Sequence, residues 1–224
     1  MDIKLKNKKI ITIDGPSASG KGLLAKALAK KLNFILLDSG LLYRAYSYCF
    51  DKAQNHNEAM ELFLQLGIDG VIGAMAVYEK ENNITQLLRH ENIAKSASKL
   101  SSLKETRNNL ISFQRSLASN HGLIADGRDM GTVVFPDAAT KIFLIADVEV
   151  RAQRRFLELQ NNDQGVNMRD LIEDIRLRDE ADRVREISPL VPAPDSIEVN
   201  SSMLTPHEVL NKVLEIYKER IKEI

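Results

Sequence analysis

Short apolar runs alternate along the chain with longer stretches in which apolar residues recur at helical spacing. The short runs end at polar residues or turns and predict β-strands at 10–13, 34–37, 123–125, 141–146 and 197–199. The longer stretches predict helices over 21–32, 41–50, 93–119, 148–160 and 168–183. Strands that alternate with helices indicate an α/β protein with a mostly parallel sheet, which binds its ligands at the carboxyl ends of the strands.

Residues 51–67 are polar at first and then helical, whereas the segment from 68 to 92 has no clear hydrophobic period. Gly67, Gly70 and Gly73 then separate short apolar pieces, and Asn82-Asn83 marks a turn. We expect small hairpins or short helices in this segment.

The C-terminal helix has the clearest start signal. Thr205 stands at the N-cap position, Pro206 at the first helical position and Glu208 three residues after the cap. Asp147 and Asn167 occupy the N-cap positions of the two preceding helices. The apolar stripe that follows Glu208 predicts a structural role for the last helix.

Composition and charge narrow the class of protein. The chain has 224 residues, with 31 Lys+Arg and 31 Asp+Glu, and zero net charge argues against a general nucleic-acid-coating protein. The single cysteine, Cys49, excludes an intrachain disulfide and is predicted to be a buried apolar residue. No apolar run reaches the ~18 residues of a membrane span, and no signal-peptide pattern is present. We therefore expect a cytoplasmic protein that binds neither a membrane nor a nucleic-acid polymer.

The most specific motif has the spacing G-x-x-x-x-G-K and lies between a predicted strand and a predicted helix. It comprises Gly15, Pro16, Ser17, Ala18, Ser19, Gly20 and Lys21, and continues into Gly22. Glycines let the backbone curl so that N–H groups point inward, and the helix N-terminus adds the positive end of its dipole. Lys21 is then placed to bridge the β- and γ-phosphates of ATP.

The residues after this lysine depart from the usual pattern of such loops. Gly22 and Leu23 stand where a hydroxyl that binds Mg²⁺ is often found. We therefore expect Mg²⁺ to be held mainly by phosphate oxygens and water, with Ser17 and Asp126 as candidates for contacts through water. The motif alone leaves kinases, ATPases and GTPases open, but the chain lacks the Asn-Lys-x-Asp loop of a GTPase and the larger core of a motor ATPase. A nucleotide kinase is favoured.

Polar clusters follow the second and third predicted strands, and further ones lie near the C-terminus. The clusters are DSGLLYRA at 38–45, DGRDMGTVVFPD at 126–137 and SPLVPA at 188–193. Arg178, Asp182 and Arg185 are spaced i, i+4 and i+7, so they share one face of a helix.

With these motifs the chain resembles the bacterial cytidylate kinases, which are nucleoside monophosphate kinases. The resemblance runs over nearly the whole chain and is weakest between about 55 and 95. It implies a single domain (1–224) with the three-layer α/β/α P-loop kinase fold and a five-stranded parallel sheet. It further implies a monophosphate-binding insert at 55–107, shorter than is usual in the family, a short lid at 151–168, and a monomer. The implied reaction transfers the γ-phosphoryl group of ATP to CMP or dCMP.

The resemblance also implies roles for individual residues in holding the acceptor. Arg44 and Arg128 grip the phosphate of CMP, because the planar guanidinium matches phosphate oxygens, and Ser39 adds a hydroxyl. Arg178 and Asp182 contact the ribose. The remaining members of the implied substrate site are Asp38, Tyr43, Asp126 and Arg185, the last near the phosphates.

Base recognition is assigned to Ser98, Arg107 and Asp129 by the same resemblance. A carboxylate facing the amino group of cytosine and an arginine facing its acceptors satisfy the edge of the base. Uracil would place a carbonyl against Asp129, and a site with such a mismatched polar group rejects the wrong base strongly.

Arg154 and Arg155 lie one helical turn after Arg151, in the position of the arginines that clamp the transferring group in nucleotide kinases. The predicted catalytic set is Lys21, Arg128, Arg151, Arg155 and Arg185. Positioning and charge neutralisation supply most of the rate of phosphoryl transfer, so no general base is expected.

Simpler explanations stay open for several of these residues. A solvated helix face is the alternative for the three lid arginines, and a surface ion pair is predicted for Asp179 with Arg183. Asp129 has a second possible role as the ion-pair partner of Arg128. Two alternative functions also remain. One is a kinase for a broader pyrimidine or another small acceptor, and the other is a non-enzymatic P-loop nucleotide sensor, which would not need a second set of phosphate-binding arginines.

Overall fold

The computed structural model describes residues 7–118, 121–160 and 167–222. Its central sheet has five parallel strands in the order β2-β6-β1-β7-β8. These strands are β1 (Asn7–Asp14), β2 (Ile35–Asp38), β6 (Leu123–Gly127), β7 (Ala138–Ile145) and β8 (Ile197–Asn200). The predicted α/β class and five-stranded parallel sheet are confirmed.

The helices of the described residues lie between and around these strands. They are α1 (Lys21–Leu32), α2 (Ser39–Ala53), α3 (His56–Leu64), α4 (Glu91–Leu100), α5 (Lys104–Ser116), α6 (Val148–Gln160), α7 (Met168–Val184) and α8 (Pro206–Lys222). The helix predicted over 93–119 is two helices, because the chain turns at 101–103 between α4 and α5. Residues 161–166, at the middle of the predicted lid, lie outside the described residues.

Both faces of the sheet are buried, and alternate residues of each strand face different cores. Ile10 packs with Leu123 and α2 on one face, whereas Ile11 packs with Ile124 and α1 on the other. Burial on both faces explains why the strands read as continuous apolar runs rather than as an alternating pattern. β7 begins three residues before its predicted start, because it already pairs with β1 there.

The segment without a clear period forms a small antiparallel sheet of its own. It consists of β3 (Gly67–Val71), β4 (Ala74–Glu79) and β5 (Asn82–Asn83). A 3₁₀ turn at Leu87–Arg89 leads from this sheet into α4. Of the two expected alternatives, small hairpins or short helices, the structure has mainly the hairpins.

The predicted helix starts agree with the contacts. Thr205 Oγ1 accepts from the Glu208 N–H at 3.3 Å, and the Glu208 carboxylate accepts from the Thr205 N–H at 2.8 Å, which is a capping box. Asn167 accepts from the Arg169 N–H at 2.9 Å. Cys49 is buried, as predicted. Within the described ranges, no helix has the length and apolar character needed to cross a membrane.

Candidate active site

The phosphate loop curls tightly between β1 and α1. Gly15, Ala18 and Gly20 have positive φ angles of 148°, 58° and 94°. A Cβ on Gly15 would lie 2.1 Å from the carbonyl oxygen of Leu144, so this position has no room for a side chain. The curl is therefore set by the close approach of the loop to β7, as well as by the glycines themselves.

Lys21 lies buried inside this curl. Its Nζ donates to the carbonyl of Pro16 at 2.6 Å and lies 3.4 Å from Ser19 Oγ. Burial, and after it the positive charge of Arg128, lower the pKa of Lys21 to about 7. Burial also raises the pKa of Asp126 to about 6, while the positive charge of Lys21 limits that rise. An arriving phosphate would favour the charged form of the lysine.

Arg151 and Asp179 hold the backbone of the loop at Ser17. The Arg151 guanidinium donates to the Ser17 carbonyl at 3.1 Å, and the Asp179 carboxylate accepts from the Ser17 N–H at 3.3 Å. The two side chains also form a buried ion pair. The surface pair predicted between Asp179 and Arg183 is therefore wrong. Packing of α6 against α7 brings Asp179 to Arg151, and Arg183 pairs with Glu180 instead.

The other two arginines of α6 have different partners. Arg154 donates to the carbonyl of Ser19 at 3.1 Å and to the carbonyl of Ser201 at 2.8 Å. Arg155 points elsewhere and pairs with Glu91 and Glu158, each at 3.2 Å. Arg154 faces the cavity described below and the other two do not, although the sequence prediction placed Arg151 and Arg155 in the catalytic set. Ser201, directly after β8, was not predicted at all.

On the acceptor side, Arg128 and Asp182 form an ion pair. Arg128 Nε donates to Asp182 Oδ2 at 2.8 Å, and Arg185 lies 3.6 Å from the other carboxylate oxygen. Burial alone would raise the pKa of Asp182, but the charge and hydrogen bond of Arg128 hold it below its usual value. Arg178 lies beside Arg128, but it does not line the cavity.

Arg107 and Asp129 form a second, more deeply buried ion pair. Arg107 uses all three of its nitrogens, because it also donates to the Ser101 carbonyl at 2.7 Å and to Ser188 Oγ at 3.0 Å. The ring of Tyr43 lies under its guanidinium, with 5.6 Å from the ring centroid to Cζ. The ion pair considered between Asp129 and Arg128 is therefore not the one that forms.

The 3₁₀ turn at Leu87–Arg89 contacts β2 and α2 through two arginines. Arg44 donates to the carbonyl of Leu88 at 3.3 Å, and Arg89 pairs with Asp38 at 3.2 Å. Asp38 also caps α2 by accepting from the Leu41 N–H at 3.0 Å. These contacts join α2 and the end of β2 to the 3₁₀ turn that precedes α4.

The turn that follows Arg128 and Asp129 is held at both ends. Asp14, at the end of β1, accepts from the N–H groups of Met130 at 2.8 Å and Gly131 at 2.7 Å. Arg115 donates to the carbonyls at the other end of the turn, at Val133 and Val134, each at 3.0 Å.

Asp14 is an acidic side chain at the N–H end of this helical turn, and Arg115 is a basic side chain at its carbonyl end. Each has the charge that the dipole of a helical turn favours at that end. Burial raises the pKa of Asp14 to about 7, although the two backbone hydrogen bonds lower it. The sequence prediction missed both Asp14 and Arg115 as supports of the site.

A cavity of about 950 Å³ joins the phosphate loop to the acceptor side. The predicted residues that line it are Ala18, Ser19, Gly20, Lys21, Gly22, Asp38, Ser39, Tyr43, Arg44, Ser98, Arg107, Asp126, Arg128, Asp129, Asp182 and Arg185. Gly15, Pro16, Ser17, Arg151, Arg155 and Arg178 do not line it. Apolar side chains that the sequence analysis did not single out, among them Leu157, Leu204 and Leu210, also line the cavity.

Comparison with known proteins identifies the family of this chain. The family model for cytidylate kinase matches residues 11–219. A cytidylate kinase from Stutzerimonas stutzeri is 42% identical over 227 residues, which cover 96% of this chain and 98% of that protein. Cytidylate kinase 1 from Haemophilus influenzae is 41% identical over 211 residues, which cover 92% and 91% of the two chains. The chain belongs to the cytidylate kinase family.

Proposed function

We propose that this protein transfers the γ-phosphoryl group of ATP to CMP or dCMP, giving ADP and CDP or dCDP. Family membership confirms the resemblance and the enzyme class that were predicted from the sequence. It implies ATP as the phosphate donor. It does not favour the two alternatives, a kinase for another small acceptor and a non-enzymatic nucleotide sensor. The observation that carries the proposal is the single cavity in which Lys21 of the phosphate loop and the Arg107–Asp129 pair both lie.

Acceptor binding rests on arginines whose charges are partly balanced before the substrate arrives. Arg128 and Arg185 share the carboxylate of Asp182. Arg44 donates to the carbonyl of Leu88, which carries no net charge. A doubly charged monophosphate supplies the acceptor oxygens that these guanidinium groups match. Ser39, whose hydroxyl lies close to Gly127, adds a further donor to the same end of the cavity.

In the transfer step, an oxygen of the bound monophosphate attacks the γ-phosphorus as the bond to the bridging oxygen of ADP breaks. Lys21 exchanges its bond to the Pro16 carbonyl for the phosphates, and Arg128 neutralises charge on the transferring group. No side chain needs to take a proton, because the attacking oxygen is already ionised. Arg151 and Arg154 contribute by holding the loop backbone at Ser17 and Ser19.

Base selection rests on the Arg107–Asp129 pair. Asp129 accepts a hydrogen bond from the amino group of cytosine, and Arg107 faces the acceptors of the base from the other side, with Ser98 beside them in the cavity wall. Uracil would turn a carbonyl toward a carboxylate that is already buried, so its binding carries an electrostatic cost.

The residues beneath the phosphate loop suit a Mg²⁺–ATP complex. Asp126 Oδ2 lies 3.5 Å from where a Cβ of Gly22 would be, so a carboxylate oxygen reaches the start of α1 beside Lys21. Mg²⁺ dehydrates reluctantly, so the proposal has the ion held largely by phosphate oxygens and water. When bound, Mg²⁺ neutralises charge on the phosphate oxygens.

The domain boundaries and cellular context remain part of this proposal. We assign the acceptor-binding insert to 55–107 and the lid to 151–168, with Arg155 joining the catalytic set when the lid is closed over ATP. The monomeric state, the cytoplasmic location and the absence of nucleic-acid binding stay predictions.

A substrate panel tests the proposed function directly. ADP release would be followed by a coupled assay with ATP and Mg²⁺, and with CMP, dCMP, UMP, AMP or GMP as the acceptor. Fast turnover with CMP and dCMP and slow turnover with the others is expected. Equal rates with UMP would reduce the proposal to a general pyrimidine kinase, and turnover with none of the five would overturn it.

A further inference from the structure

Ser188 has an unusual backbone for its residue type. It is a serine with a φ of 51°, and a proline follows it. L-residues other than glycine rarely adopt this left-handed conformation, and when they do, the conformation is often imposed by a functional arrangement. Ser188 begins the SPLVPA cluster at 188–193, in the segment between α7 and β8. The sequence motifs imply no role for this serine.

The contacts of Ser188 explain its conformation. Its hydroxyl oxygen accepts a hydrogen bond from Nε of Arg107 at 3.0 Å, and its carbonyl oxygen accepts from Nε of Arg185. One residue thus receives the Nε groups of two arginines that both line the cavity. The left-handed backbone lets the hydroxyl and the carbonyl reach both arginines.

The hydrogen bond to Ser188 completes the fixation of Arg107. The other two nitrogens of that guanidinium bind the Ser101 carbonyl and Asp129, so all three directions of the planar group are set. A planar guanidinium gains specificity when its orientation is fixed in this way. Without the Ser188 hydroxyl, Nε would have no protein partner among these contacts, and the plane could turn away from the base.

Arg185 is held differently. Its Nε binds the Ser188 carbonyl, while its Nη2 is buried without a hydrogen-bond partner among the described residues. A buried donor without a partner is costly in a native protein, so it marks a place where an acceptor from a ligand is expected. Ser188 therefore fixes one arginine for the base and orients another that still has a free donor.

We propose that Ser188 is a positioning residue for the acceptor, which fixes Arg107 through its hydroxyl and thereby sets the affinity and the base selectivity for CMP. This inference rests on the proposed function, because it names a further determinant of the same site. Ser188 does not itself line the cavity, so it acts on the nucleotide through the two arginines.

The test compares two variants that both remove the hydroxyl. Ser188→Ala keeps the strained backbone, whereas Ser188→Gly removes the hydroxyl and relieves the strain. Ser196→Ala is the matched control, since the Ser196 hydroxyl belongs to the same segment but binds only the Ala193 carbonyl. Steady-state kinetics would give KM and kcat for CMP, UMP and ATP, and calorimetry would give the Kd for CMP independently of turnover.

For both Ser188 variants we expect KM and Kd for CMP to rise roughly tenfold, the size expected for the loss of one hydrogen bond to a charged group. The preference for CMP over UMP should fall, while the KM for ATP and the Tm stay within the range of the Ser196→Ala control. Unchanged CMP affinity and selectivity in both variants would overturn the inference. So would equal losses for CMP and ATP together with a lower Tm, which would indicate a purely structural role. Failure of the wild-type protein to phosphorylate CMP is a separate result that overturns the proposed function itself.

Discussion

The half of the cavity at the phosphate loop is lined by the consecutive residues 18–24, with side chains of α6 and α8 beside them, whereas the ion pairs of the other half, the proposed acceptor half, join distant parts of the chain. In the first half, Lys21 binds a carbonyl only five residues away. In the second, Arg107 comes from α5 and Asp129 from the segment directly after β6, and Arg128 pairs with Asp182 of α7. The donor half depends on the local backbone of the loop, which Arg151, Arg154 and Asp179 support from α6 and α7. In the acceptor half, ion pairs between elements themselves line the cavity.

This difference predicts how each half fails. Loss of a side chain from the phosphate loop should remove contacts to the phosphates but leave few buried charges without partners. Loss of one member of an ion pair in the acceptor half leaves the other member buried and uncompensated, which is expensive. Variants of the two halves should therefore differ both in which substrate they affect and in how far they destabilise the fold.

The largest effect is expected from Lys21→Met in the donor half. Removal of the charge that neutralises the phosphates should lower kcat by about 10³-fold or more, while the fold is retained. Turnover by the coupled assay and the Tm would be measured together. A kcat near that of the wild type would contradict the assignment of Lys21 to the phosphate loop.

In the acceptor half, Asp129→Ala should reduce kcat/KM for CMP by about 10²-fold or more, because a carboxylate that reads the amino group is lost. The effect on UMP should be much smaller. Asp129→Asn is the companion variant, since it keeps the shape of the side chain and separates base reading from loss of stability. Equal losses on CMP and UMP in both variants would show that Asp129 does not distinguish the two bases.

Asp14 tests the comparison between the two halves, because it directly precedes the phosphate loop but binds the turn that follows Arg128 and Asp129. Asp14→Asn exchanges one of the two carboxylate oxygens for an N–H donor, so at least one of the hydrogen bonds to Met130 and Gly131 is lost. We expect the KM for CMP to rise about tenfold and the KM for ATP to change less. A larger change for ATP would assign Asp14 to the donor half instead.

The smallest effect expected is a pH dependence of ATP binding. Because the pKa of Lys21 is lowered to about 7 in the ligand-free protein, this lysine is mostly neutral at about pH 8. Phosphate binding favours the charged form, so binding should take up protons and weaken as the pH rises above the lowered pKa. Calorimetry with a non-hydrolysable ATP analogue, in two buffers of different ionisation enthalpy, measures the uptake.

Lys21→Arg provides the control for this experiment, since an arginine stays charged throughout the range. It should show no proton uptake from this position. Equal uptake by the variant and the wild-type protein would mean that another group takes the proton.

The same difference between the halves decides what the sequence can predict. The phosphate loop is recognisable because its spacing is local, and the strands and most helices follow from apolar runs and helical spacing. The arginines of α6 illustrate the limit of this prediction. Arg151, Arg154 and Arg155 lie at positions i, i+3 and i+4 of one helix, but they have three different partners. The first binds Ser17, the second Ser19, and the third a glutamate of α4. Spacing along a helix does not specify which neighbouring element each side chain meets.

Other supports were missed because their partners are remote in sequence. Asp14 and Gly131 are 117 residues apart, and Arg107 and Ser188 are 81 apart. A signal for Asp14 was present, since a carboxylate at the carboxyl end of a central strand lies where ligands and loops converge. No comparable local signal marks Ser188, whose positive φ becomes visible only in three dimensions.

The turn held between Asp14 and Arg115 has a consequence for inhibitor design. The backbone of this turn, just after Arg128 and Asp129, is held by Asp14 of β1 and Arg115 of α5 rather than by the small antiparallel sheet. A fragment that binds the backbone of this turn would therefore not depend on how the small antiparallel sheet is placed. If Arg128 and Asp129 hold the acceptor as proposed above, a substitution there that blocks such a compound would also impair acceptor binding.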